Sequence, residues 1–224
     1  MTQQHLAAII NGYGVPRNIR TDRSYHAYLV QVVNWLWERH RTHAVTIVPC
    51  GGRTDMRQPY RRTEAGEMVA WLQPKLRGLG LASSWRIAPI ATELAALENM
   101  LAAAKRYPEG PIVYFCEWTR LKKMRVLARK VFGARATVVG IEFDGSPPRY
   151  DRNGRRALER EDLTYSLAAL RDPAWRRMLR HAAEEKIRVL RATPERVRAI
   201  EIDHIARKIR QEFCIRYDRT RREQ

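Results

Sequence analysis

Ala44–Glu67 reads AVTIVPCGGRTDMRQPYRRTEAGE, and this stretch decides the fold. The apolar run Ala44–Val48 stops at Pro49-Cys50 and opens into Gly51-Gly52-Arg53-Thr54. An arginine-rich loop follows, and a helix starts near Thr63. Short runs rich in Val and Ile and ended by glycine read as strands buried on both faces. Strand, glycine turn and helix form the unit with which open α/β sheets hold ligands. The turn lies at the carboxyl end of the strand, and the helix N-terminus offers free N–H groups to an anion. Gly51 and Gly52 permit close backbone approach because neither carries a Cβ, and Arg53 adds a fork of donors suited to phosphate or carboxylate. The bland reading of the same turn is a tight connection and nothing more.

The flanking sequence repeats the unit. Leu6–Ile10 is a first strand ending at Asn11-Gly12-Tyr13-Gly14, and Tyr25, Tyr28, Leu29, Val32, Val33 and Leu36 space out a helix from Ser24 to about Arg41. Thr63 is a candidate N-cap with Glu64 and Glu67 in its first turn. Its helix runs to Gly78, with Pro74 expected to kink it or close it early. Trp85–Ile90 is the next strand, and Thr92 caps a helix through Leu94, Leu97, Leu101 and Ala104. Ile112–Cys116 is strongly β-prone, Thr119 caps a helix to Gly133, and Ala136–Phe143 is a last strand. The pattern βαβαβαβαβ predicts a Rossmann-like, mostly parallel sheet of about five strands flanked by helices.

Composition changes at Asp144–Pro148, which divides an α/β domain (1–148) from a basic helical extension (149–224). Helices are expected at about 160–170, from the Asp172-Pro173 pair through Leu190, and from Thr193-Pro194 through Phe213, with the last seven residues frayed. The apolar stripe Trp175–Phe213 needs a partner surface, either the α/β domain or a second copy, which makes the extension a candidate route to a homo-oligomer.

The formal charge is +18, with 42 Lys and Arg against 24 Asp and Glu. It points to nucleic acid, anionic head groups or a phosphorylated small ligand, or else to a solvated basic surface. Residues 151–224 hold 20 basic and 13 acidic residues, a net of +7, and residues 1–150 carry the other +11. Acids such as Glu184 interrupt the basic run at ion-pair spacing, as in Glu184–Arg188. Nucleic-acid binding is therefore expected to be weak and insensitive to sequence. Cys50, Cys116 and Cys214 lie far apart, and neither they nor His26, His40, His43, His181 and His204 show metal-site spacing. No apolar run approaches the roughly 18 residues of a membrane span and none has signal-peptide form, so the chain reads as cytoplasmic with no membrane partner.

Over residues 6–140 the sequence resembles the SanA/ElyC/YdcF-like family. Ile9-Ile10-Asn11-Gly12-Tyr13-Gly14 looks like that family's first glycine turn, and Pro49-Cys50-Gly51-Gly52 like its Ser-Gly-Gly turn. Thr63-Glu64-Ala65 matches its Ser/Thr-Glu-Ala helix start, and Glu98-Asn99 its Glu-Asn pair. Three positions depart. Cys50 replaces the serine, Ala96 stands where a threonine precedes the Glu-Asn pair, and Cys116-Glu-Trp-Thr119-Arg120 lacks the histidine of the fourth-strand turn. The resemblance implies a Rossmann-like domain. Some relatives are membrane-anchored and linked to envelope maintenance, and a soluble one is associated with S-adenosylmethionine.

Turns after successive parallel strands converge on one edge, which gathers Asn11, Gly12, Gly14, Gly51, Gly52, Arg53, Glu64, Glu98, Glu117, Thr119 and Arg120. Arg53, Arg120 and the helix starts at Thr63 and Thr119 would hold an anion. Glu64, Glu98 or Glu117 would bind ribose-type hydroxyls or move a proton. Asn99 either contacts ligand or holds a neighbouring loop. The expected protein binds an anionic or nucleotide-like small ligand, with S-adenosylmethionine or a nucleotide as candidate cofactor and an unassigned reaction. Its rivals are a basic nucleic-acid-binding protein and a catalytically silent interaction module.

Overall fold

The structure, a computed structural model, describes residues 5–143 and 152–222. The strands are β1 (Leu6–Asn11), β2 (Val45–Cys50), β3 (Trp85–Ile87), β4 (Ile112–Glu117) and β5 (Ala136–Ile141). Between them run α1 (Arg23–His40), α2 (Glu64–Gly78), α3 (Ala96–Arg106) and α4 (Leu121–Phe132). All pairs are parallel and the spatial order is β3-β2-β1-β4-β5. Every residue of β1, β2 and β4 is buried, as continuous apolar runs covered on both faces require. Strand order moves outward from β1 through β2 to β3, then jumps back to β4. The right-handed crossover rule accordingly puts α1 and α2 on one face and α3 and α4 on the other. On the first face Trp35 of α1 meets Phe115 of β4 edge-on, ring centres 5.4 Å apart.

Local chemistry sets most boundaries. Asp22 accepts from the Tyr25 N–H at 2.9 Å and starts α1, and Thr63 accepts from the Gly66 N–H at 2.9 Å and starts α2. Pro74 neither closes α2 nor cuts it short, because Pro74 and Ala70, whose carbonyl loses its intrahelical donor, are both exposed to solvent. Thr92 does not cap α3. Its hydroxyl turns to Glu93, and the helix begins four residues later at Ala96. The third strand is shorter than Trp85–Ile90, although Ile90 still bridges Cys50.

The chain divides into two compact units, Met1–Arg149 and Tyr150–Gln224. The compositional break at Asp144–Pro148 lies outside the described residues. Among the described residues the second unit holds three helices, α5 (Arg152–Arg171), α6 (Pro173–Ala192) and α7 (Glu195–Arg222). Helix α5 starts earlier than expected because Arg155 is fixed on two sides, by Glu159 one turn on at 3.3 Å and by Asp203 of α7 at 2.5 Å. Arg207–Glu161 and Arg210–Asp162 tie the same two helices, at 3.1 and 2.8 Å. Asp172 caps α6 and also accepts the Tyr217 hydroxyl at 2.9 Å, with Trp175 packed on the Tyr217 ring. Thr193 closes α6 by donating its hydroxyl to the Val189 carbonyl.

The remaining differences concern α7 and the surface ion pairs. Helix α7 is not frayed at residue 218 but continues through Arg222. Its buried positions include Ala206, Ile209 and Cys214, whereas Ile200 is 84% exposed and outside the stripe. Arg188 pairs with Glu185, not with Glu184, which faces back to Arg180.

Candidate functional site

The reversal of strand order falls between β1 and β4, where open α/β sheets part and hold ligands at their carboxyl edge. The pairing shows how the crevice opens. Alongside β4, β1 is paired only as far as Ile10 and Phe115. Alongside β2 it continues to Asn11 and Cys50, and the Gly12 N–H still donates to the Cys50 carbonyl at 2.9 Å. The first turn thus leaves on the β2 side.

Asn11 lines the floor of this opening, 4% exposed. Its Oδ1 accepts from the Tyr114 hydroxyl at 3.1 Å and from Asn99 Nδ2 at 3.4 Å, and its backbone carbonyl accepts from Tyr28 at 3.1 Å. Asn99 reaches it from α3, 88 residues on. Asn99 is equally buried, yet its Oδ1 has no hydrogen-bond partner among the described residues. Turning the amide over exchanges the two atoms and still leaves one unmatched. A buried amide oxygen without a donor is uncommon and marks a place for a water or a ligand group.

The turn above is held by tyrosines. The Tyr25 hydroxyl donates to the Gly14 carbonyl at 2.6 Å and accepts from the Tyr13 N–H at 2.8 Å. Gly14 has φ +85°, in the left-handed region that suits glycine. Tyr13 packs edge-on against Phe143 at 4.7 Å, and the Arg120 guanidinium lies 6.0 Å from its ring centre. Arg120 thereby brings the β4 turn to face the β1 turn. Glu117, 7% exposed, accepts from the Thr119 N–H at 3.0 Å and from the Thr119 hydroxyl. Thr119 therefore does not cap α4. Glu117 caps the short 3₁₀ turn Trp118–Arg120, and α4 follows from Leu121.

On the β2 side the close approach is made by the chain's own groups. A Cβ on Gly12 would stand 1.8 Å from Glu64 Oε2, and one on Gly51 2.6 Å from the same oxygen. The Glu64 carboxylate thus lies in a cradle of two glycines, its other oxygen accepting from Thr54 at 2.6 Å. Gly51 and Gly52 donate their N–H groups to the Ile90 and Glu93 carbonyls at 3.0 and 2.7 Å. In the first turn of α2, Glu64 and Ala65 donate to the Gly52 and Gly51 carbonyls, and Gly66 to Thr63. These donors are occupied internally, and a carboxylate already sits beside them. Arg53 is exposed just beyond Gly52. Glu98 lies on the first turn of α3 and accepts from the Leu94 N–H at 3.2 Å, as a first-turn acid does.

The structure therefore brings Asn11, Gly12, Gly14, Asn99, Glu117, Thr119 and Arg120 to the β1–β4 opening, and Gly51, Gly52, Arg53 and Glu64 to the adjoining β2 turn. Sequence reading missed the residues that hold this edge, Tyr25, Tyr114, and Asp55 with its ion pair to Arg62 at 2.8 Å. Tyr25 and Tyr114 were legible only as apolar positions of a helix and a strand, because a hydroxyl's partner is not visible in periodicity.

Cys50 is fully buried, and burial pushes its thiol well above the ordinary range, which keeps it protonated. Among the described residues no group of three or more His, Cys, Asp or Glu side chains could hold a metal ion, and no helix is long and apolar enough to cross a membrane. No family model and no curated protein matches the chain.

Proposed function

We propose that this is a SanA/ElyC/YdcF-like α/β protein that binds a nucleotide-like small ligand in the β1–β4 crevice. The observation carrying this reading is the buried, unmatched Asn99 Oδ1 beside Asn11 where strand order reverses. A base or ribose has the mixed donors and acceptors such an amide pair needs. Arg120 supplies charge for an anionic group, and Glu117 hydrogen-bonds a hydroxyl or takes its proton. Glu64, already oriented by Thr54, is the second candidate base. S-adenosylmethionine and nucleotides are the candidate ligands.

The test is native mass spectrometry of the full chain incubated with adenosine, S-adenosylmethionine and adenosine nucleotides. At least one should give a 1:1 adduct that Asn99→Leu and Arg120→Gln each weaken, with circular dichroism unchanged. No adduct with any of them, or adducts indifferent to both substitutions, would defeat the proposal.

A further inference from the structure

The loops leaving β1 and β2 carry an unbalanced charge. Residues 12–22 and 51–63 hold six arginines, Arg17, Arg20, Arg53, Arg57, Arg61 and Arg62, against two acids, Asp22 and Asp55. Both acids are engaged within the fold. Asp22 caps α1. Asp55, 1% exposed, takes the Arg62 guanidinium in a bidentate pair at 2.8 and 3.0 Å and accepts from the Arg57 N–H at 3.2 Å. The remaining Arg62 nitrogen, Nη1, donates to the Pro16 and Arg17 carbonyls at 3.0 and 3.3 Å. Asp55 and Arg62 together act as a rivet, fixing the β2 loop to the β1 loop.

Around this rivet Arg17, Arg20 and Arg61 are exposed, and no acid pairs with them among the described residues. The rivet fixes the loop backbone that carries these three guanidiniums, so binding a multiply charged anion there orders side chains but not the loops. The β1 loop that carries Arg17 and Arg20 leaves the strand end at Asn11, so it connects this surface to the β1–β4 crevice through the chain.

We propose that the riveted arginine rim receives the phosphate chain of the crevice ligand, which makes that ligand a nucleoside polyphosphate. This rests on the crevice reading above and narrows it. S-adenosylmethionine carries a sulfonium cation and no phosphate, so the rim repels part of it. A nucleoside di- or triphosphate places its base against Asn11 and Asn99 and its anionic end against Arg17, Arg20 and Arg61.

Calorimetry on the full chain with adenosine, ATP, inorganic tripolyphosphate and a single-stranded oligoadenylate tests this at low and at physiological salt. The comparison protein is the triple variant Arg17→Gln, Arg20→Gln, Arg61→Gln, whose altered side chains are all exposed. ATP should bind at least about tenfold tighter than adenosine, the effect of one good charge-assisted contact, and the advantage should shrink as salt screens it. The triple variant should lose most of the preference for ATP over adenosine, the remainder being the share of Arg120, while keeping its affinity for adenosine. Equal affinity of the wild type for ATP and adenosine would overturn the rim and leave the crevice reading standing. Tripolyphosphate bound as tightly as ATP, with no binding of adenosine, would keep a phosphate site on the rim but overturn the crevice reading and the link between the two. Oligoadenylate bound more tightly than ATP, and lost in the triple variant, would overturn the small-ligand assignment in favour of nucleic acid. No binding of ATP or tripolyphosphate would overturn the proposal outright.

Discussion

Replacing Gly12 by alanine tests the glycine cradle directly. The new methyl would stand 1.8 Å from Glu64 Oε2, 2.9 Å from Glu64 Cβ and 2.8 Å from the Cys50 carbonyl oxygen. The first contact is with the far end of a side chain, so the carboxylate moves and gives up its 2.6 Å bond from Thr54. A hydrogen bond to a charged group contributes about 1.5–3 kcal/mol. The other two contacts involve backbone and Cβ, which yield less, and overpacking of that kind costs about 1–2 kcal/mol. Gly12→Ala should therefore destabilise the α/β unit by about 2.5–5 kcal/mol. Once Glu64 is already alanine, the carboxylate contact is gone, and the same substitution should cost only about 1–2 kcal/mol. Urea denaturation followed by tryptophan fluorescence reads this unit, since Trp35, Trp37, Trp71, Trp85 and Trp118 all lie in it. The double-mutant cycle should give a coupling of about 2 kcal/mol. Additivity within about 0.5 kcal/mol would show that Glu64 does not occupy the cradle.

Two further predictions concern titration and reactivity. Burial, then His43 and Arg39, lowers the His40 pKa below 6.5, so the unfolded chain binds more protons there than the folded one. Its contribution to stability is full above 6.5 and is lost as pH falls through the lowered folded value. His40→Gln should flatten the dependence of the urea midpoint on pH over that window, and an unchanged slope would contradict the assignment. The three cysteines are all buried, so a thiol reagent should modify none of them in the native protein at the rate of a free thiol, and all three after denaturation. Labelling of Cys50 faster than global unfolding would contradict the account of that thiol.

The sheet was legible because its signals are local. Five apolar runs, each ended by glycine or a cap, predict parallel strands at positions that the structure bears out, with Leu6–Asn11, Val45–Cys50 and Ile112–Glu117 buried along their whole length. Caps with an acceptor at the right place were also legible, as at Thr63 and Asp172. Thr92 and Thr119 show the limit: each hydroxyl had a nearer carboxylate, Glu93 or Glu117, and took that instead.

Sequence by itself also placed Asn11, Gly12, Gly51, Gly52, Glu64 and Glu117 at the carboxyl edge, since strand ends in a parallel sheet share a side. Only tertiary structure decided what those residues touch. Strand order set the opening between β1 and β4, and it brought Asn99 to Asn11 across 88 residues. Packing filled the space above Gly12 and Gly51 with the Glu64 carboxylate and directed the glycine N–H groups to Ile90 and Glu93. Periodicity reports which face of an element is buried, because one residue's hydrophobicity suffices for that. A hydrogen bond between distant loops depends on two side chains meeting in space, and for Asp55 and Arg62 that meeting exists only once the β1 and β2 turns lie side by side.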